Sequence, residues 1–129
     1  VDSGAIRRRF SLGAALLVAS GLLAFAASGT AQAAPSSCAG HQVRSIPFGA
    51  GVTRVYRSGD YVCAVTVARR PGTVRTMSVS VQARGSRPAT DLGRYSRHAG
   101  PVTVHAGHRC VWIRGSIGSE SVSTGWILC

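Results

Sequence analysis

Arg75-Thr76-Met77-Ser78-Val79-Ser80-Val81-Gln82-Ala83-Arg84 sets Met77, Val79, Val81 and Ala83 at alternate positions, with hydroxyl and amide side chains between them. A period of two is that of a strand with one buried face. Arg70-Pro71-Gly72 before it and Gly85-Ser86-Arg87-Pro88 after it read as turns. Upstream, Tyr61-Val62-Cys63-Ala64-Val65-Thr66-Val67 sets Cys63, Val65 and Val67 on one face. Ser58-Gly59-Asp60 joins it to Val52-Thr53-Arg54-Val55-Tyr56-Arg57, which predicts a hairpin. Downstream, Pro101–His105 and His108–Ile113 flank Ala106-Gly107 and predict a second hairpin. Gly115 and Gly118 then punctuate the run into a last strand, Ser121 to Leu128. About seven short strands at this turn spacing, with no amphipathic helical stretch among them, predict an all-β fold, a small antiparallel β-sandwich or barrel.

The N-terminal stretch follows another logic. Ile6-Arg7-Arg8-Arg9-Phe10 is basic, Ser11 to Gly29 carries no charge, and Ala31-Gln32-Ala33 closes it with small residues. A positive head, an apolar centre and an A-x-A site define a secretory signal peptide over residues 1–33, cleaved after Ala33. Ser20 and Gly21 interrupt the apolar run and no basic flank follows it, which speaks against a membrane anchor. No membrane span is expected once this segment is removed. Residues 34–37 read as a short loose leader, and 38–129 as one β-domain.

The 129 residues exclude a large multidomain enzyme. Lysine and asparagine are absent, so every cationic side chain other than histidine is an arginine. Beyond residue 33 the chain carries twelve arginines against Asp60, Asp91 and Glu120, a formal charge of +9. Such a field attracts anionic polymers with salt-dependent affinity. Arg69, Arg70, Arg75, Arg84, Arg87, Arg94 and Arg97 gather at strand ends and loops and are the candidate polyanion-binding residues. Outside the cell the expected partner is an anionic envelope polymer; contact with nucleic acid would be non-specific, because no recognised nucleic-acid module is present.

Cys38, Cys63, Cys110 and Cys129 all follow the leader, and an even count in a small exported chain points to disulfides before metal. Four cysteines allow three connectivities. We favour Cys38 with Cys63 and Cys110 with Cys129, because each closes a local loop and ties a chain end to an interior strand. A domain of this size buries little more than about 60% of its unfolded surface, so two bridges matter to its stability.

Asp91-Leu92-Gly93-Arg94-Tyr95, Ala99-Gly100-Pro101-Val102-Thr103-Val104, Gly107-His108-Arg109-Cys110-Val111-Trp112 and Ser123-Thr124-Gly125-Trp126 with Cys129 together resemble the spore-associated protein A family of filamentous actinobacteria. Cys38-Ala39-Gly40 and the strand around Cys63 fall where that family places its first two cysteines. The resemblance implies a small exported protein of the spore or aerial-cell surface, an anionic surface as its partner, and no established enzymatic activity. The strong positive charge departs from the family's pattern.

Catalytic and metal chemistry have candidates of the right residue types. Asp91, Ser96 and His98 could serve nucleophilic catalysis from one loop, although no nucleophile elbow surrounds a serine. Glu120 as base with His98 or His105 as acid would suit a ribonuclease-like enzyme, with arginines on the phosphate. His105, His108 and Cys110 have zinc-ligand chemistry, but the predicted hairpin and disulfide explain them without metal. Gly49-Ala50-Gly51 lacks the third glycine and the helix of a dinucleotide loop, so no cofactor is expected. Ser86-Arg87-Pro88 would be the inhibitory loop of a secreted antagonist, with a proline that opposes the usual cleavage geometry. Trp112 shares a face with Cys110, which predicts a tryptophan in the core over the disulfide. Trp126 lies near the last cysteine and is a candidate carbohydrate platform where exposed.

Overall fold

The structure, a computed structural model, describes residues 37–129. The signal peptide read over 1–33 and residues 34–36 of the leader lie outside the described residues. Eight strands follow one another: β1 (His41–Phe48), β2 (Gly51–Ser58), β3 (Tyr61–Ala68), β4 (Arg75–Ala83), β5 (Ala89–Tyr95), β6 (His98–His105), β7 (Val111–Ile117) and β8 (Glu120–Ile127). They form two four-stranded antiparallel sheets, β1-β2-β3-β6 and β5-β4-β7-β8, packed as a sandwich.

The alternation read in Arg75–Arg84 is what buries β4. Met77, Val79, Val81 and Ala83 face Val111, Ile113 and Ile117 of the neighbouring strand and the apolar side chains of the other sheet, all inaccessible to solvent. Val55, Val62, Ala64, Ala68 and Ala99 supply the opposite wall. Burying a valine or isoleucine of this kind contributes about 1.5–3 kcal/mol each, and this apolar layer holds the two sheets together.

The hairpin of β2 and β3 forms as expected around Gly59, whose φ of +60° suits the turn. Eight strands stand where about seven were expected, and β1 is one that patterning missed. Its register shifts between Gln42 and Arg44, so the period of two breaks within the strand. Pro47 gives up a ladder donor, which an edge strand tolerates.

The second predicted hairpin is overturned. β6 pairs with β3 in one sheet and β7 with β4 in the other, so residues 106–110 are a crossing between sheets. The amides of Ala106 and Gly107 both donate to the carbonyl of Asp60, at 2.8 and 3.0 Å. The segment is thus captured by the β2–β3 turn instead of folding β7 back onto β6. Arg109 fixes it further, donating to the carbonyls of His105, Ala106 and Arg84 and to Ser86 Oγ.

Both disulfides form in the favoured pairing, Cys38–Cys63 and Cys110–Cys129. They lie at one end of the sandwich, with the β2–β3 turn and the 106–110 crossing. The other end carries the turns at 49–50 and 118–119 and the crossings at 69–74 and 96–97.

Candidate basic site

Two connections pass between the sheets at that second end, and they hold the arginines together. The amide of Ala68 donates to the carbonyl of Arg97 and that of Gly72 to the carbonyl of Ser96, both at 2.9 Å. The 69–74 loop is therefore docked on the 96–97 turn. Arg69 donates to the carbonyl of Phe48 at 3.0 Å, and Arg75 to that of Arg70 at 3.2 Å. These carbonyls fix the two side chains while leaving their charge uncancelled. The Nε of Arg75 is buried and has no hydrogen-bond partner.

An open cleft of about 340 Å³ results, lined by Gly49, Ala50, Arg69, Arg70, Arg75 and Glu120. Glu120 reaches it from the start of β8, with its carboxylate so close to Gly49 that a β-carbon there would collide with it. Among the described residues no arginine stands within 4.0 Å of a carboxylate as an ion pair; the recorded pair is His105 with Asp60, at 3.8 Å and exposed.

The seven arginines read as one loop-borne group divide between the two ends. Arg69, Arg70, Arg75, Arg94 and Arg97 belong to the end just described, whereas Arg84 and Arg87 flank the β4–β5 turn at the disulfide end. The strands run the full length of the sandwich, so loops adjacent in sequence alternate between its ends. Ser86 of the same turn is held by Arg109, and the carbonyl of Ser86 accepts from Gln82 at 3.0 Å. The Ser86-Arg87-Pro88 stretch is therefore tethered at its first residue.

The catalytic candidates do not come together. Asp91 is on β5, not in a loop with Ser96 and His98, and both of its oxygens are engaged. One accepts from Tyr95 Oη at 2.5 Å and the other from the amide of Gly100 at 2.8 Å. That contact ties β5 to β6 across the two sheets. The Tyr95 pKa is raised, first by the hydrogen bond to Asp91, then by desolvation on burial and by the carboxylate's charge.

Glu120 opens β8, the edge strand packed by β1, whereas His98 begins β6, the opposite edge packed against β4 and β5. His105 is at the far end of the molecule, edge-on to Tyr61 at 5.1 Å. With the hairpin gone, His105 and His108 are no cross-strand pair, and Cys110 is oxidised. Among the described residues no group of three His, Cys, Asp or Glu is placed to hold a metal ion.

Trp112 also departs from expectation. It does share a face with Cys110, but that face is the outer one, because Val111, Ile113, Gly115 and Ile117 take the inner positions of β7. Trp112 is half-buried against Trp126 and donates to Ser123 Oγ at 2.6 Å. Arg114, two residues on, was not singled out from the sequence; the period of two that places it beside Trp112 on the outer face was the available signal.

Compared with protein-family models, with curated proteins and with solved structures, the chain matches none.

Proposed function

We propose that this is an exported, non-enzymatic protein of the cell or spore surface that holds an anionic envelope polymer. The observation that carries the reading is the gathering of Arg69, Arg70, Arg75, Arg94 and Arg97 at one end of a disulfide-bonded sandwich, opposed there by the single carboxylate of Glu120. Arg69 and Arg75, oriented by main-chain carbonyls, and the exposed Arg70, Arg94 and Arg97 beside them are suited to phosphate or carboxylate groups along a polymer. The signal-peptide pattern and the resemblance to spore-associated proteins support an external location, as does the use of every described cysteine in a disulfide.

The test is retention of the oxidised protein on immobilised poly(glycerol phosphate) teichoic acid from low to high salt. Saturable binding that weakens steeply with salt, and is reduced by Arg70→Gln with Arg97→Gln, is the expected result. No retention at low salt would overturn the reading.

A second reading, a ribonuclease-like enzyme, draws on the one carboxylate among those guanidiniums. It requires RNA cleavage that Glu120→Gln abolishes while RNA binding persists.

A further inference from the structure

The two tryptophans of the chain stand side by side on the outer face of the second sheet. Trp112 and Trp126 are opposite one another in the β7–β8 register, with ring centroids 5.3 Å apart and planes at 89°. At one end of the pair the Arg84 guanidinium carbon lies 5.3 Å from the Trp126 ring centre. At the other, that of Arg114 lies 5.0 Å from Trp112. The four side chains form a row in which two half-exposed indoles separate two exposed cations.

Next to the row this face carries hydroxyls, and its far strand, β5, adds the exposed Leu92 and Arg94. The register sets Ser78 and Ser80 of β4 beside Ser116 and Arg114 of β7, and these beside Ser121 and Ser123 of β8. The hydroxyls of Ser78 and Ser116 are 2.5 Å apart. None of the described carboxylates neutralises the row. Asp91 is spent on Tyr95 and Gly100, Glu120 lies against Gly49, and Asp60 is in the β2–β3 turn near His105.

A cross-strand tryptophan pair is also an ordinary way to cover a sheet face. Packing alone, however, does not account for a guanidinium at each end of the pair with no acid on the face. Stacking on an indole restrains an arginine's rotamers and leaves its N–H edge for a planar anion, which a carboxylate matches with two parallel hydrogen bonds. Indole carbon offers an apolar surface to the C–H face of a pyranose, and the exposed Ser121 and Ser123 answer sugar hydroxyls. Carboxylate, apolar ring face and hydroxyls recur together along a uronic acid chain.

We propose that Arg84, Trp126, Trp112 and Arg114 form a binding strip for an acidic polysaccharide built of uronic acid sugars. The strip lies on a sheet face, apart from the arginine end described above, and does not depend on that site. A single nucleic-acid strand is the competing occupant, since bases also stack on indoles. The T-shaped pair and the row of serines favour a sugar over successive flat bases.

Because both tryptophans lie in the strip, intrinsic tryptophan emission reads its occupancy directly. The oxidised protein is titrated with a hyaluronan oligosaccharide, a neutral chitin oligosaccharide of equal length, inorganic polyphosphate and oligothymidylate. The expected result is a saturable change in emission with hyaluronan, at least about tenfold tighter than with the other three probes. Arg114→Gln and Arg84→Gln, both at exposed positions, should each weaken it about five- to tenfold without moving the thermal midpoint. Arg69→Gln with Arg70→Gln should leave it unchanged. No saturable response to hyaluronan would overturn the proposal. So would equal or tighter binding of polyphosphate or oligothymidylate, or full hyaluronan affinity in both strip variants.

Discussion

Thr53 Oγ1 and Thr66 Oγ1 meet 2.9 Å apart across β2 and β3, in a site closed to solvent. Each hydroxyl finds the other inside an otherwise apolar layer, which removes the cost of burying either alone. Gly115 of the opposite sheet crosses directly over them, and a β-carbon there would collide with both threonines. Thr66→Val should therefore cost about 1–3 kcal/mol by stranding the Thr53 hydroxyl, whereas Thr53→Val with Thr66→Val together should cost less than Thr66→Val alone. Gly115→Ala should destabilise by about 1–3 kcal/mol through overpacking. Urea unfolding of the three variants beside the wild type measures all of this, and a double valine variant weaker than Thr66→Val would contradict it.

The disulfides make a prediction of comparable size. Cys38–Cys63 spans a sequence separation of 25 and Cys110–Cys129 one of 19. In the chain-entropy description, loops of that length contribute about 3 kcal/mol each. Replacing either pair with serine should lower the thermal midpoint strongly. Replacing both should leave the protein unfolded at moderate temperature, as read by circular dichroism.

The Asp91–Tyr95 contact predicts a loss of stability in alkali. The fold favours the neutral phenol, so the folded pKa lies above the ordinary 10.0. A group of this kind contributes stability that is fully present below its unfolded pKa and is lost as pH rises through the folded value. Thermal midpoints should therefore decline above about pH 10 more steeply in the wild type than in Tyr95→Phe. Equal alkaline limbs for the two proteins would show that the contact carries no such linkage.

The strands were legible where one side chain in two is apolar, as in Arg75–Arg84, because a half-buried strand writes its burial directly into that period. β1 was not legible, since a register shift at Gln42 and Arg44 displaces Val43 and Ile46 from strict alternation. Pairing was legible only where a turn enforces it. Ser58-Gly59-Asp60 must return the chain on itself, but Ala106-Gly107 does so only if the next strand stays in the same sheet. Here the carbonyl of Asp60, far away in sequence, takes both amides and sends β7 to the other sheet. The same limit applies to the sites. Periodicity grouped Cys110 and Trp112 on one face, but which face is inner depends on where Val111 and Ile113 pack. The arginines could be counted from sequence, but which share an end of the sandwich follows from the strand order.

That difference of place should separate the arginines by what their loss does. Arg109 donates four hydrogen bonds, three of them to main-chain carbonyls, and holds the crossing at 106–110 against the β4–β5 turn. Arg109→Gln should cost about 1–2 kcal/mol of stability, because it removes charge-assisted bonds at an exposed position where water replaces part of each. Arg70 and Arg97 are exposed, and their side chains make no recorded hydrogen bond among the described residues, so Arg70→Gln or Arg97→Gln should leave the urea midpoint within about 0.5 kcal/mol of wild type. Each should instead reduce the dependence of log affinity on log salt for a phosphate polymer by roughly one unit, as expected when one fewer counterion is released. Arg109→Gln should leave that slope unchanged, provided the salt series is run where the variant is fully folded. Paired unfolding curves and salt titrations of the three variants separate the two roles. A slope lowered equally by Arg109→Gln would mean that binding follows total charge instead of its location at one end of the sandwich.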